Sequence, residues 1–134
     1  VVGLDWGPHA ADAASAGVSL VPKMSHQDFL EYLAGSAVAV GQSSGLLGSS
    51  ELEAFGIGVP LYMPLVEGLY PEHPPVGWGK PVDPEGLAGS LAADFANLTA
   101  MEERGSEGVR WIEQNHSTAA TVDRLLEIYR EALR

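Results

Sequence analysis

Residues 37–41, Ala-Val-Ala-Val-Gly, constrain this chain more than any other segment. They are apolar throughout and of strand length, and they stand between a helical pattern and a loop of glycine and serine. A strand with one face in water would alternate polar and apolar residues, so this run reads as a strand buried on both faces. Residues 18–22 and 60–63 are further short apolar runs, and segments of helical period separate the three. Residues 8–16 form a helix of small residues ended by Gly17. Ser25 caps a second helix, with Asp28 three residues on and Met24 placed to staple against Phe29. Its Phe29, Leu30 and Leu33 share one face, and it stops near Gly35. A third helix, 50–56, follows the loop 42–49. Strands separated by helices imply a parallel sheet with right-handed crossovers, so the expected fold is α/β, an incomplete doubly wound domain. The opening VVGLDWGP reads as a strand already under way and a helix start at Pro8, which implies that something N-terminal is missing.

From residue 64 to 81 the pattern lapses, with five prolines and three glycines, and a loop of that length is usually functional or mobile. Asp83 with Pro84 begins a fourth helix, on which Leu87, Leu91, Phe95 and Leu98 keep helical spacing. Two more helices complete a helical tail. The last starts near Ser117 and carries Val122, Leu125, Leu126, Tyr129 and Leu133 as a stripe, with Arg130 and Arg134 at the negative end of its dipole.

The 134 residues suit one domain. There is no cysteine, which excludes disulfides and thiolate metal sites and allows a reducing, cytoplasmic compartment. A net charge of −11 with no basic stripe makes nucleic acid an unfavourable partner. The longest apolar stretch, 57–66, is broken by Pro60 and Pro64 and is too short to span a bilayer. His9, His26, His73 and His116 are scattered without ligand spacing, so no metal is expected.

In doubly wound sheets ligands sit beyond the carboxyl ends of the strands, which directs attention to the loop after Gly41. Gly45 and Gly48 let backbone amides approach a ligand closely, and the next helix points its positive end at the same place. Ser49 and Ser50 could donate hydroxyls to a phosphate there, or either could be the N-cap.

The run SSELEAFGIGVP that begins at Ser49, together with Val109, Arg110, His116, Ser117 and Tyr129 in the tail, resembles the nucleotide-sugar-binding half of group 1 glycosyltransferases. The resemblance implies the C-terminal, Rossmann-like half of a GT-B fold whose first strand and helix, with the basic residues that contact the diphosphate, are absent. It implies a nucleotide sugar as donor, a separate N-terminal acceptor-binding domain as partner, retaining glycosyl transfer without metal or other cofactor, and an inactive isolated fragment. The family signature has two glutamates. Glu53 matches the second and would accept hydrogen bonds from the donor ribose, while Gly45 stands where the first would be. Gly45, Leu46, Leu47, Gly48, Ser49 and Ser50 would then form the sugar and phosphate loop. Lys23 and Met24, after the second strand, would lie beside the base.

Other readings share these residues. Ser50 and Glu53 have the spacing of a capping box, which would give Glu53 a local role. Lys23 could be merely solvated, and Tyr70 and Trp78 could stack on a ligand or pack the long loop down. Gly41-Gln42-Ser43-Ser44-Gly45 matches a nucleophile elbow, with Asp94 and His116 following in hydrolase order. A nucleotide-sugar 2-epimerase and a binding module without catalysis remain alternatives to the transferase.

Overall fold

The computed structural model describes every residue except Trp6, Glu67, Pro71, Lys80, Pro81 and Val82, and for Trp78, Gly79 and Pro84 the backbone alone. The chain divides into two compact units, Val1–Tyr32 and Leu33–Arg134.

The first unit is a single strand-helix-strand turn. Strands β1 (Val2–Leu4) and β2 (Ser19–Val21) pair in parallel, Val2 opposite Ser19 and Leu4 opposite Val21, with helix α1 (Ala10–Ser15) between them. Gly17, at φ +91°, makes the reversal after α1. Helix α2 (His26–Ala34) then starts where its capping residues expect, since the Ser25 hydroxyl accepts the Asp28 amide at 3.1 Å and donates to the Asp28 carboxylate at 2.7 Å.

The second unit holds strands β3 (Ala39–Val40), β4 (Leu61–Pro64) and β5 (Gly77–Gly79) and helices α3 (Ser49–Ile57), α4 (Pro84–Phe95), α5 (Leu98–Asn115) and α6 (Thr118–Ala132). All four residues of β4 are buried, and it lies between β3 and β5 with both pairings parallel. Phe55, Leu61, Met63, Leu65 and Trp111 form the core, so β4 is covered by α3 and α5. Glycines make that layer thin. A Cβ on Gly108 would lie 2.7 Å from the Phe55 ring, and one on Gly105 would run into the Gly58 carbonyl. Phe55 and Trp111 meet at 5.6 Å between ring centroids.

This architecture corrects the expected doubly wound, Rossmann-like sheet and GT-B half. The strands form two separate small parallel sheets, β1-β2 and β3-β4-β5. The physical reason lies in the strands, which are two to four residues long, and in their order. The larger sheet runs consecutively, so it has no reversal of strand order and none of the crevice that such a reversal opens. Nor is residue segment 37–41 buried on both faces. Only Ala39 and Val40 are strand, they pair with β4 alone, and Val40 is 52% exposed, as suits an edge. Strand β5 arises inside the stretch 64–81, where the sequence shows a loop. Its glycine-rich Gly-Trp-Gly has little strand propensity, yet Gly77 has no side chain and so accommodates the Tyr62 ring across the pairing.

Beneath the helices, the buried Tyr62 donates to the Asp94 carboxylate at 2.5 Å, and Arg104 pairs with the same oxygen at 2.8 Å while lying 5.6 Å from the centre of the Tyr62 ring. Burial, and then the hydrogen bond to Asp94, push the Tyr62 hydroxyl from its ordinary 10 up to about 12. A raised pKa means that the folded state keeps a proton that the unfolded state gives up. Stability is therefore full below pH 10 and falls as pH rises toward 12. The loss should approach about 2 to 3 kcal/mol at 1.36 kcal/mol per unit. Urea unfolding of the parent and of Tyr62→Phe across pH 8 to 12 tests this, because the substitution should flatten that slope. Among the described residues no helix is long and apolar enough to cross a membrane.

Candidate functional site at the start of helix α3

The expected site residues of the Gly41 loop do come together, around a residue that was not among them. Glu51, only 6% exposed, is the buried charged side chain of the described chain. Its Oε1 accepts the Gln42 amide at 3.0 Å, and its Oε2 accepts the Gly48 amide at 3.0 Å and the Ser50 hydroxyl at 3.1 Å. One carboxylate thus ties together both ends of loop 42–48. Both positions are close around it: a Cβ at 41 would sit 3.0 Å from the Glu51 Cγ and from the Met63 Sδ, and one at 48 would sit 2.9 Å from Oε2.

The rest of the loop is equally fixed. The Tyr70 hydroxyl accepts the Leu47 amide at 2.7 Å, and the Gln42 side chain donates to the Leu46 carbonyl at 2.7 Å. Tyr70 also packs against the core, so its part is to hold the long loop down. The side chain of Trp78 lies outside the described residues. Gly45 makes the turn at φ +77°, and its carbonyl accepts the Val66 amide at 3.2 Å. A Cβ there would lie 3.0 Å from the Val66 nitrogen, so a glutamate at this position would need both a strained backbone and a displaced Val66.

The electrostatics differ from those of an open anion site. Glu51 takes up the Gly48 amide at the positive end of α3 and places a negative charge where a phosphate was expected. The donors still directed outward are those of the first helical turn at Ser49 and Ser50, both exposed, as at the start of any α-helix. Neither serine is the N-cap. That position belongs to Gly48, with φ −97° and ψ −174°. Ser50 is the second residue of the helix and gives its hydroxyl to Glu51, so the Ser50 and Glu53 capping box is not formed. Glu53 is half-buried on α3.

Lys23 and Met24 belong to the other unit, in the segment after β2. The elbow reading finds no support. Ser43 sits in an exposed turn six residues ahead of α3, while Asp94 is engaged with Tyr62 and Arg104, and the His116 ring lies on Trp111 at 4.9 Å. No group of His, Asp or Glu suited to a metal ion occurs among the described residues. Glu51 had a sequence signal, a glycine followed three residues later by glutamate, because glycine too is accepted at an N-cap. No protein-family model, curated protein or solved structure matches this chain.

Proposed function

We propose that the unit Leu33–Arg134 binds the diphosphate and ribose of a nucleotide sugar at the first turn of α3, as the donor-binding part of a glycosyltransferase. The observation that carries the reading is the loop between β3 and α3, whose two ends are fixed by one buried carboxylate. Such preorganisation lowers the cost of ordering the loop around a ligand. In this role the amides and hydroxyls of Ser49 and Ser50 meet the phosphates, and Glu53 accepts from the ribose hydroxyls. With Glu51 beside them and no basic side chain recruited among the described residues, phosphate binding is weak, and the chain alone transfers no sugar. A nucleotide-sugar donor goes with a cytoplasmic site of action, which is part of the proposal.

Gly45 favours a second reading, a nucleotide-binding module without transfer. Its positive φ and the Val66 backbone beside it leave no room for the first glutamate of the family signature. The experiment is titration calorimetry with a panel of nucleoside diphosphates on the parent, Glu53→Gln and Glu53→Ala. Binding in the millimolar range is expected, weakened by about 1 to 2 kcal/mol in Glu53→Gln, the scale of a hydrogen bond to a charged group, with little change in stability. No binding of any diphosphate, or equal binding by all three proteins, sinks the ribose assignment. Glycosyl transfer to acceptor by a longer protein containing this unit would separate the transferase from the module.

A further inference from the structure

Helix α5 and the segment 72–75 border a cavity of about 200 Å³ that shares no residue with the site at α3. Glu107, Arg110, Trp111 and Gln114 line it from α5, at the spacing that puts them on one face of the helix, and His73 and Pro75 line it from the segment. The segment is held on both sides of His73. The Glu72 carbonyl accepts the Trp111 indole N–H at 3.4 Å, and Pro74 is fully buried. The cavity is thus formed before any ligand arrives, as small-molecule sites largely are.

Its lining is selective. Trp111 is buried whereas Glu107, Arg110 and Gln114 are exposed, so the indole stands at the floor and the polar groups at the rim. The His116 ring at 4.9 Å and the Phe55 ring at 5.6 Å already lie against Trp111, which leaves little of its face for a flat base or a sugar ring to stack on. The rim must then do the recognition. Glu107 and Arg110 have the spacing of a helix ion pair, yet among the described residues neither pairs with the other or with any third side chain, and the Gln114 amide has no hydrogen bond. One acid and one base are left open side by side. A ligand with only a negative charge would be opposed by Glu107 and by the field of a chain of net charge −11, and one with only a positive charge would be opposed by Arg110. A molecule that carries both charges satisfies both groups. The volume is that of about seven water molecules, which suits about eight non-hydrogen atoms, the size of valine or proline.

We propose that this cavity binds a free α-amino acid with a small apolar side chain. Its carboxylate meets Arg110 and Gln114, its ammonium group meets Glu107, and its side chain lies against Trp111 and Pro75. The end of a peptide carries only one of the two charges and is a poorer ligand.

Titration of the ¹⁵N-labelled chain with L-valine and L-proline, followed by NMR, tests this. The Trp111 indole N–H signal should shift saturably, with a dissociation constant in the millimolar range. Two analogues separate the charges of valine without adding bulk, 3-methylbutanoate lacking the ammonium group and 2-methylpropylamine lacking the carboxylate. Each should bind about tenfold more weakly, the scale of a hydrogen bond to a charged group. Glu107→Gln and Arg110→Gln should each weaken valine binding by a similar factor, with unchanged melting temperature because both side chains are exposed. If neither amino acid moves the signal saturably at tens of millimolar, the proposal fails. An analogue that binds as well as valine overturns the two-charge recognition, and full binding by either variant overturns the site.

Discussion

Glu51→Ala is expected to lower the stability of the Leu33–Arg134 unit by about 2 to 4 kcal/mol, among the larger effects of any single side chain in the loop region. The change removes a carboxylate that accepts three hydrogen bonds and leaves the part-buried amides of Gln42 and Gly48 without their acceptor. The asymmetry of hydrogen-bond energetics makes the loss large, because a donor stranded out of water retains its full desolvation cost. Glu51→Gln separates charge from shape. It keeps one acceptor oxygen but turns an amide group toward one of the two backbone donors, so it should fall between the parent and Glu51→Ala. Urea unfolding with a common slope checks the order. A Glu51→Ala protein within about 0.5 kcal/mol of the parent would mean that the loop is not held by this residue.

Gly105→Ala should cost about 3 kcal/mol or more, because the methyl group would be driven into the Gly58 carbonyl, and backbone cannot swing aside as a side chain can. Gly108→Ala meets the Phe55 ring and should cost less, since a ring can shift. Gly89→Ala is the control. It lies within α4 with nothing within 4 Å of the added carbon, and there alanine should be neutral or stabilise by about 0.5 to 1 kcal/mol through helix propensity. Thermal melts of the three proteins read the contrast directly. If Gly105→Ala melts with Gly89→Ala, the close approach of α3 and α5 does not limit the fold.

Local signals in the sequence are accurate where local chemistry decides the outcome. The Ser25 cap, the Asp83 cap that accepts the Gly86 amide, and the Ser117 start of α6 are all where their residues put them. The apolar run at 18–22 becomes β2, trimmed by one residue at each end, and the run at 60–63 becomes β4, displaced by one residue. Sheet architecture is not legible in the same way, because apolar content does not say which strand is a neighbour. Ala39 and Val40 look like a central strand and lie at an edge. Residues 77–79 look like loop and pair with the most buried strand. The loop 42–48 was identifiable from its glycines, but its organising group was not Ser50 with Glu53. Moving the cap two residues back, to Gly48 with Glu51, closes the loop on its own carboxylate.

The contacts that hold β4 in place also set the order in which the unit can assemble. Tyr62 reaches Asp94 across 32 residues of sequence, and Trp111 reaches the Glu72 carbonyl across 39. The entropy of closing such spans must be met before either contact returns any energy. Helix α6 buries nothing and can form and dissolve locally, whereas docking of α5 on α3 and β4, which brings Phe55 and Trp111 together, is expected to be the step that commits this unit. Amide exchange should accordingly be slowest in β4 and the middle of α5 and fastest in α6, and truncating Trp111 should slow folding rather than merely hasten unfolding.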